Sequence, residues 1–389
     1  MKSVIYFLTP GLTGGGWNVI KNFIKTLIKY QNQIKINIIS AGVVEKDDFI
    51  LKEKKIKIFK LPWLSYDNYV NFLEKNLLLN ILFNLPYLGM CFIKLIFNIK
   101  NIKVVICNGI LSFIPAFFVK ILKNDAKVFV WIHTDLRFSD RKIIKKIILN
   151  LSSKIDCFWV NSDDVKNDLI KTGISSSKIY KILNVVEEVE NTEIKDERLR
   201  FLNNYKFKIL FVGRFVEYKH ITLYLKVAKN LASKDICFVF VGTGEFQKKV
   251  EKLSSSNSHI YYLGKLPNHE TRKLYSKFNI TLCYADETYV SMTALESLYA
   301  GTPVLYPDIS SAPSKYNKRI KIKNNILPEP IGFKIKASEE DFCKKILELY
   351  MLDFPSQEIR NECKNFVRQY HSSQNFIIVI EKFLKLKND

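Results

Sequence analysis

FKILFVGRFVEYKHITLYLKVAKNLASKDICFVFVGTGEF, residues 207–246, reads as strand, loop, helix, strand and glycine turn in succession. FKILFV (207–212) and ICFVFV (236–241) are near-continuous apolar runs, the pattern of strands covered on both faces of a parallel sheet. Between them, 221–232 carries apolar residues at helical spacing. Strand, helix and strand in this order make a βαβ unit, which points to an α/β sheet.

The alternation continues in both directions. Downstream, helices are expected at 245–254, 268–277 and 292–300, and strands at 259–263, 279–284 and 303–306. The stretch 338–387 reads as helical throughout. Upstream, strands are expected at 2–8, 34–40, 56–61, 103–107, 127–132, 156–161 and 178–183. Helices fill 17–30, 111–123, 137–151 and 163–172. VEEVENTEIKDERLRFLNNYKF, 186–207, breaks the rhythm with polar and acidic residues and reads as an interdomain connection. The expected architecture is α/β, with two doubly wound Rossmann-like domains at 1–190 and 206–370 and a C-terminal helical segment at 371–389. Ligands of such sheets bind at the carboxyl ends of strands, so a cleft between the domains is the expected site.

Composition narrows the class. The chain has 389 residues, 48% of them apolar, which suits a globular protein rather than a disordered one. The net charge is +22, almost all from Lys. It reflects either a base-composition bias of the genome or selection for an anionic partner. The seven Cys show no paired spacing, so we expect a reduced, cytosolic compartment without zinc or disulfides. MKSVIYFLTP reads as a first buried strand rather than a signal peptide, because glycines cut the apolar run short. NLLLNILFNLPYLGMCFIKLIF, 76–97, is long enough to span a bilayer, but Asn80, Asn84, Pro86 and Lys94 interrupt it. Two short helices broken near Pro86 are the expected form, buried or dipping into a membrane face.

Several stretches carry candidate chemistry. In GLTGGGWNVI (11–20), Gly15 and Gly16 open a helix whose first amides suit an anion, although the spacing is not that of a dinucleotide fingerprint. In FVGRFVEYKH (211–220), Arg214 and Lys219 leave the end of a buried strand, placed to grip a diphosphate or simply solvated. VGTGEF (241–246) repeats the glycine turn and reads as structural. WIHTDL (131–136) ends a strand with His133, suited to hydrogen bonding a hydroxyl or moving a proton, or satisfied by its own loop. In ADETYVSMTALESLYAGTPV (285–304), Thr293 and Glu296 have capping-box spacing. DRKIIKKIILNL (140–151) has a basic face opposite isoleucines, fit for a membrane surface or for packing on the sheet. No D-x-D, G-x-S-x-G or Walker A motif occurs.

The order of these pieces resembles the family-4 retaining glycosyltransferases of GT-B architecture over nearly the whole chain. FVGRFVEYKH is similar to the family's G-R-x4-K element, and ALESLYAGTPVL to its A-L-E-A-x-A-x-G-x-P-V-V stretch. VNSDDVKNDLIKTGISSSKIYKILNVVE (160–187), YYLGKLPNHETRKLYSKFNITLCYAD (261–286) and IGFKIKASEEDFCKKILEL (331–349) also resemble family segments. The resemblance implies two domains facing across a cleft, with C-terminal helices crossing back to the N-terminal domain. It implies an acceptor-binding first domain and a second domain for a nucleotide-diphosphate sugar, most readily a UDP-sugar. Arg214 and Lys219 would hold the diphosphate without a metal, aided by amides near Gly15, Gly16, Met292 and Thr293. His133 would contact the donor sugar, and Glu296 the ribose. The family's first acid falls at Thr288, one position after Glu287, so either residue could face the sugar. His220 stands where the family has Gly.

These features lead us to expect a retaining, metal-independent hexosyltransferase of bacterial surface-polysaccharide type, making lipopolysaccharide or capsule. Its partners would be a nucleotide-sugar donor, a glycan or lipid-linked acceptor and an anionic membrane surface, with no nucleic acid. It would be cytoplasmic and peripheral on the inner face of the plasma membrane. The alternatives are a sugar-nucleotide epimerase, or a basic protein binding nucleic acid or anionic lipid on the same fold.

Overall fold

A computed structural model describes residues 3–10, 12, 14–31, 33–41, 49–61, 77–109, 112–133, 142–186, 197–284, 290–308 and 327–384. The chain divides into two compact units, 1–185 with 373–389, and 186–372.

In the first unit, Ser3–Thr9 (β1), Ile34–Ser40 (β2), Ile56–Lys60 (β3), Ile102–Asn108 (β4), Lys127–Ile132 (β5), Cys157–Val160 (β6) and Ile179–Lys181 (β7) form one sheet. Its order is β3-β2-β1-β4-β5-β6-β7, and every pairing is parallel. The strands are apolar on both faces because helices cover both. Those helices are Gly14–Tyr30 (α1), Phe49–Lys52 (α2), Leu77–Phe97 (α3), Phe113–Leu122 (α4), Lys142–Ser152 (α5) and Asp163–Thr172 (α6). Local chemistry sets the ends of α6. The Ser162 side chain accepts from the Val165 amide, and Gly173 closes the helix in the left-handed region at φ 109°.

Two expectations change here. Residues 77–97 form one helix, not two, with Pro86 inside it. Proline removes a single backbone bond, and the stripe Tyr87, Cys91 and Leu95 is buried in the core beyond it, holding the helix in line. Tyr87 also meets Ser112 of the neighbouring turn at 2.8 Å. Helix α1 begins at Gly14 rather than at residue 17, so the glycine run forms its first turn. In α5, Ile148 is buried in the core while Lys146 is exposed; Arg141 and the side chains of 142–144 lie outside the described residues.

In the second unit, Phe207–Val212 (β8), Ile236–Val241 (β9), Ile260–Tyr262 (β10), Ile280–Leu282 (β11), Val304–Asp308 (β12) and Gly332–Lys336 (β13) pair in the order β10-β9-β8-β11-β12-β13, again all parallel. Ile221–Leu231 (α7), Gln247–Ser256 (α8), Asn268–Leu274 (α9), Met292–Tyr299 (α10), Glu339–Met351 (α11) and Gln357–Tyr370 (α12) accompany them. The expected 268–277 helix tightens to a 3-10 turn at Tyr275–Lys277. Part of the expected connector is also structured. Glu197–Asn204 forms 3-10 turns, and Leu199, Leu202 and Tyr205 bury against β8 and β9 in this unit's core.

The last helix, Gln374–Val379 (α13), with a π turn at Ile380–Leu384, belongs to the first unit. Phe376 sits edge-on to Phe23 of α1 at 5.2 Å and to Trp131 of β5 at 5.9 Å. The Tyr30 hydroxyl donates to Glu381 Oε1 at 2.6 Å. These contacts anchor the end of the chain on the first sheet.

Candidate functional site

Both sheets reverse strand order once, between β1 and β4 in the first and between β8 and β11 in the second. Loops at the carboxyl ends of such strands diverge and leave a crevice, the usual ligand position in open α/β sheets.

In the first unit these strand ends are polar. Asn108, ending β4, donates from Nδ2 to Thr9 Oγ1 at 2.8 Å, and Asn161 beyond β6 donates to the His133 carbonyl at 2.9 Å. His133 follows β5, its ring stacked on Trp131 at 5.0 Å. A Cβ on Gly16 would lie 3.7 Å from His133 Cδ2. The start of α1 and His133 are therefore neighbours, as a shared ligand would require. Neither ring nitrogen of His133 reaches solvent or has a hydrogen-bond partner among the described residues. Burial pushes its pKa down to about 4, so the imidazole is neutral near pH 7. One nitrogen of a neutral ring donates and the other accepts, which suits a sugar hydroxyl. Gly15 lies in the first turn of α1. Asp135, in the same sequence stretch, lies outside the described residues.

The second unit holds the cations. The chain leaves β8 at Gly213, and Arg214 is exposed on the loop before α7. Its Nη2 donates to the Tyr218 hydroxyl, and its guanidinium carbon sits 5.6 Å from the Tyr218 ring centre. Lys219 Nζ lies 5.5 Å from the ring centre of Tyr284, which follows β11. The two tyrosines meet edge to face at 5.8 Å. Because β8 and β11 are neighbours, their loops bring two cations and two rings together. His220 takes the left-handed region at φ 58°, which explains why glycine suits this position.

The VGTGEF turn supports this loop. A Cβ on Gly242 would fall 1.9 Å from the Gly213 carbonyl oxygen, so only glycine lets the loops after β8 and β9 close. The Phe215 amide donates to the Thr243 carbonyl at 2.8 Å, and the Phe246 amide to the Phe215 carbonyl at 3.1 Å.

Helix α10 corrects one expectation. Its N-cap is Ser291, not Thr293, and the Ser291 side chain accepts from the Ala294 amide at 3.2 Å. The Ser291 carbonyl takes the Leu295 amide, which leaves those of Met292 and Thr293 at the helix mouth. Glu296 therefore sits too deep for a capping box. Its carboxylate is buried and accepts from Asn268 Nδ2 at 3.3 Å and from the Tyr275 hydroxyl at 3.4 Å. Thr293 bonds Tyr275 in turn, and the nearby carboxylate helps burial push the Tyr275 pKa up. Gly301 ends the segment at φ 85°, where Arg360 donates to its carbonyl at 3.2 Å. The Gly-Thr-Pro turn is thus structural. Glu287 and Thr288 lie outside the described residues.

The comparisons follow the same division. Residues 193–370, a little under half of the chain, match the family model described as Glycosyl transferases group 1. No curated protein matches the chain in sequence. Solved structures match it almost end to end. HepE of Anabaena, solved with UDP, shares 12% identity over 98% of this chain and 99% of its own, with a TM-score of 0.70. Sucrose-phosphate synthase of Thermosynechococcus elongatus shares 12% over 98% of each chain, with a TM-score of 0.72. The lipopolysaccharide outer core galactosyltransferase WaaB shares 17% over 98% and 100%, with a TM-score of 0.62. The fold is that of the GT-B glycosyltransferases. The family match on the cation-bearing unit supports a glycosyltransferase.

Sequence reasoning missed Tyr218, Tyr284, Asn268 and Tyr275. Tyr218 lay inside the quoted FVEYKH, but tyrosine there carries no motif. The others come close only through the pairing of β11 with β8 and the packing of α9 against α10.

Proposed function

We propose that the protein is a retaining glycosyltransferase that moves a sugar from a UDP-linked donor to a glycan or lipid-linked acceptor in surface polysaccharide synthesis. The observation that carries this reading is the pairing of Arg214 and Lys219 with Tyr218 and Tyr284 at the switch point of the second sheet, inside the segment matching the family. HepE binding UDP, and UDP-glucose in another structure, supports the choice of nucleotide.

The chemistry follows from where charge develops. Breaking the anomeric carbon–oxygen bond leaves positive charge on the sugar and negative charge on the diphosphate. Arg214 forks onto phosphate oxygens while Lys219 supplies a point charge, so the leaving group is stabilised without a metal. The open amides of Met292 and Thr293 add partial positive charge. Glu296, held by Asn268 and Tyr275, accepts from ribose hydroxyls. In the first unit, neutral His133, beside Gly16, takes a hydroxyl of the donor sugar. Glu287 or Thr288 would be the residue that meets the sugar. The first unit would bind the acceptor at an anionic membrane surface, on the cytoplasmic side.

Turnover of a panel of UDP-sugars with EDTA present tests this, using Glu287→Gln and Thr288→Ala to separate the two loop candidates. Chelator-insensitive release of UDP with retained anomeric configuration is expected. Inversion, or activity that returns only with magnesium, would refute the mechanism.

A further inference from the structure

Helix α3 is apolar on two sides. One side is committed to the core through Tyr87, Cys91 and Leu95. The other, through Leu85, Phe92, Ile93 and Phe97, faces solvent, with Phe97 83% exposed. Helix α4 does the same with Phe118 and Leu122, and Phe92 meets Phe118 edge to face at 5.2 Å. The two stripes are therefore one surface. Ten of the seventeen exposed large hydrophobic side chains described sit on these two helices, so this is a patch rather than the scattered exposure of any protein surface.

Charge identifies what covers it. Between Leu77 and Lys127 the chain carries six Lys and one acid, Asp125. The stripe itself presents no charge. Lys94 turns aside, its Nζ 4.7 Å from the Phe59 ring centre, and Lys120 is drawn off to Asp156 at 3.0 Å. Lys100, Lys103 and Lys123 follow the ends of the two helices, with Lys123 Nζ donating to the Lys100 carbonyl at 2.8 Å, while Lys127, like Lys120, pairs with Asp156, at 3.2 Å. An apolar stripe with a basic margin matches the layering of an anionic bilayer, acyl chains beside phosphate headgroups. A second copy would bring two such margins together in a chain of net charge +22. No described helix is long and apolar enough to cross a membrane, and the core side of α3 is already occupied.

We propose that the α3–α4 face seats the protein on an anionic membrane, with the stripe among the acyl chains and Lys100, Lys103 and Lys123 on headgroup phosphates. This rests on the membrane-bound acceptor reading for its purpose, but vesicle binding and donor binding are separate readouts. Either can fail alone.

The test is co-sedimentation of the full chain with phosphatidylglycerol–phosphatidylcholine vesicles and with pure phosphatidylcholine vesicles. A thermal shift with UDP runs in parallel as a check on folding and on the donor site. The wild type should bind the mixed vesicles and bind the neutral ones weakly. Ile93→Glu with Phe97→Glu should cut binding about tenfold or more, since it removes two exposed apolar side chains that the bilayer would bury. Phe97→Ser, at the most exposed position, is the milder variant if the pair misfolds. Lys100→Glu with Lys123→Glu should abolish the preference for anionic vesicles. Equal binding by wild type and variants would overturn the proposal, as would no vesicle binding by the wild type. A dimer that Phe97→Ser dissociates, with no vesicle binding, would instead assign the face to self-association and overturn it too.

Discussion

Tyr218 carries Arg214: its hydroxyl accepts from Nη2, and its ring centre lies 5.6 Å from the guanidinium carbon. An exposed arginine samples many rotamers, and holding one of them before the ligand arrives lowers the ordering cost of binding. Tyr218→Phe keeps the ring and removes the hydroxyl. The lost bond corresponds to about 1 kcal/mol, so UDP affinity should fall roughly fivefold while the melting temperature holds. Titration calorimetry of the variant reads this directly. Unchanged affinity would make Tyr218 a bystander.

Glu296 gives a second prediction. Its carboxylate is buried and shared between Asn268 and Tyr275. Glu296→Gln keeps the shape but turns one acceptor into a donor. We expect loss of at least tenfold in affinity for UDP and a smaller loss for uracil-free pyrophosphate, which lacks ribose. Equal losses for both ligands would remove the ribose assignment.

The third concerns His220, at φ 58°. A side chain with a Cβ costs about 1–2 kcal/mol in that region, and a β-branched one more. His220→Gly should leave stability equal or higher, and His220→Val should lower it by about 2 kcal/mol. Chemical denaturation measures both. A His220→Gly variant less stable than the wild type would mean that stacking of His220 on Tyr284, at 6.3 Å, outweighs the backbone term.

His133 gives a pH dependence. Its pKa falls from the ordinary 6.5 to about 4 in the folded chain, because burial disfavours the charged ring. The unfolded chain therefore binds more protons between those values, and stability drops as pH falls through that window. The full loss amounts to about 3 kcal/mol at most. His133→Gln should flatten that part of the stability curve, measured by denaturation from pH 7 to pH 4. An unaltered slope would show that other groups cause it.

Much of this was readable in advance because burial on both faces writes itself into strands as apolar runs. Residues 207–212 and 236–241 became β8 and β9 with the expected bounds, and 163–172 became α6. Pro86 misled because local propensity argues for a break, whereas core packing of Tyr87, Cys91 and Leu95 beyond the proline keeps α3 whole. Thr293 misled because Ser291, two residues earlier, has equal capping ability and its placement depends on where β11 ends. Arg214, Lys219, Glu296 and His133 stood out by residue type at strand and helix ends. Their aromatic and amide partners did not, since those meet only once distant strands pair. The exposed side of α3 was equally hidden, because hydropathy counts apolar residues without saying which face the core takes.

Binding of UDP by calorimetry, wild type against Arg214→Ala and Lys219→Ala, tests the central claim most directly. The account predicts one site in the wild type and roughly a hundredfold loss in each variant, close to the 3 kcal/mol typical of one preorganised charge contact, with melting temperatures unchanged. Failure of the wild type to bind UDP, or binding that both variants retain, would contradict it.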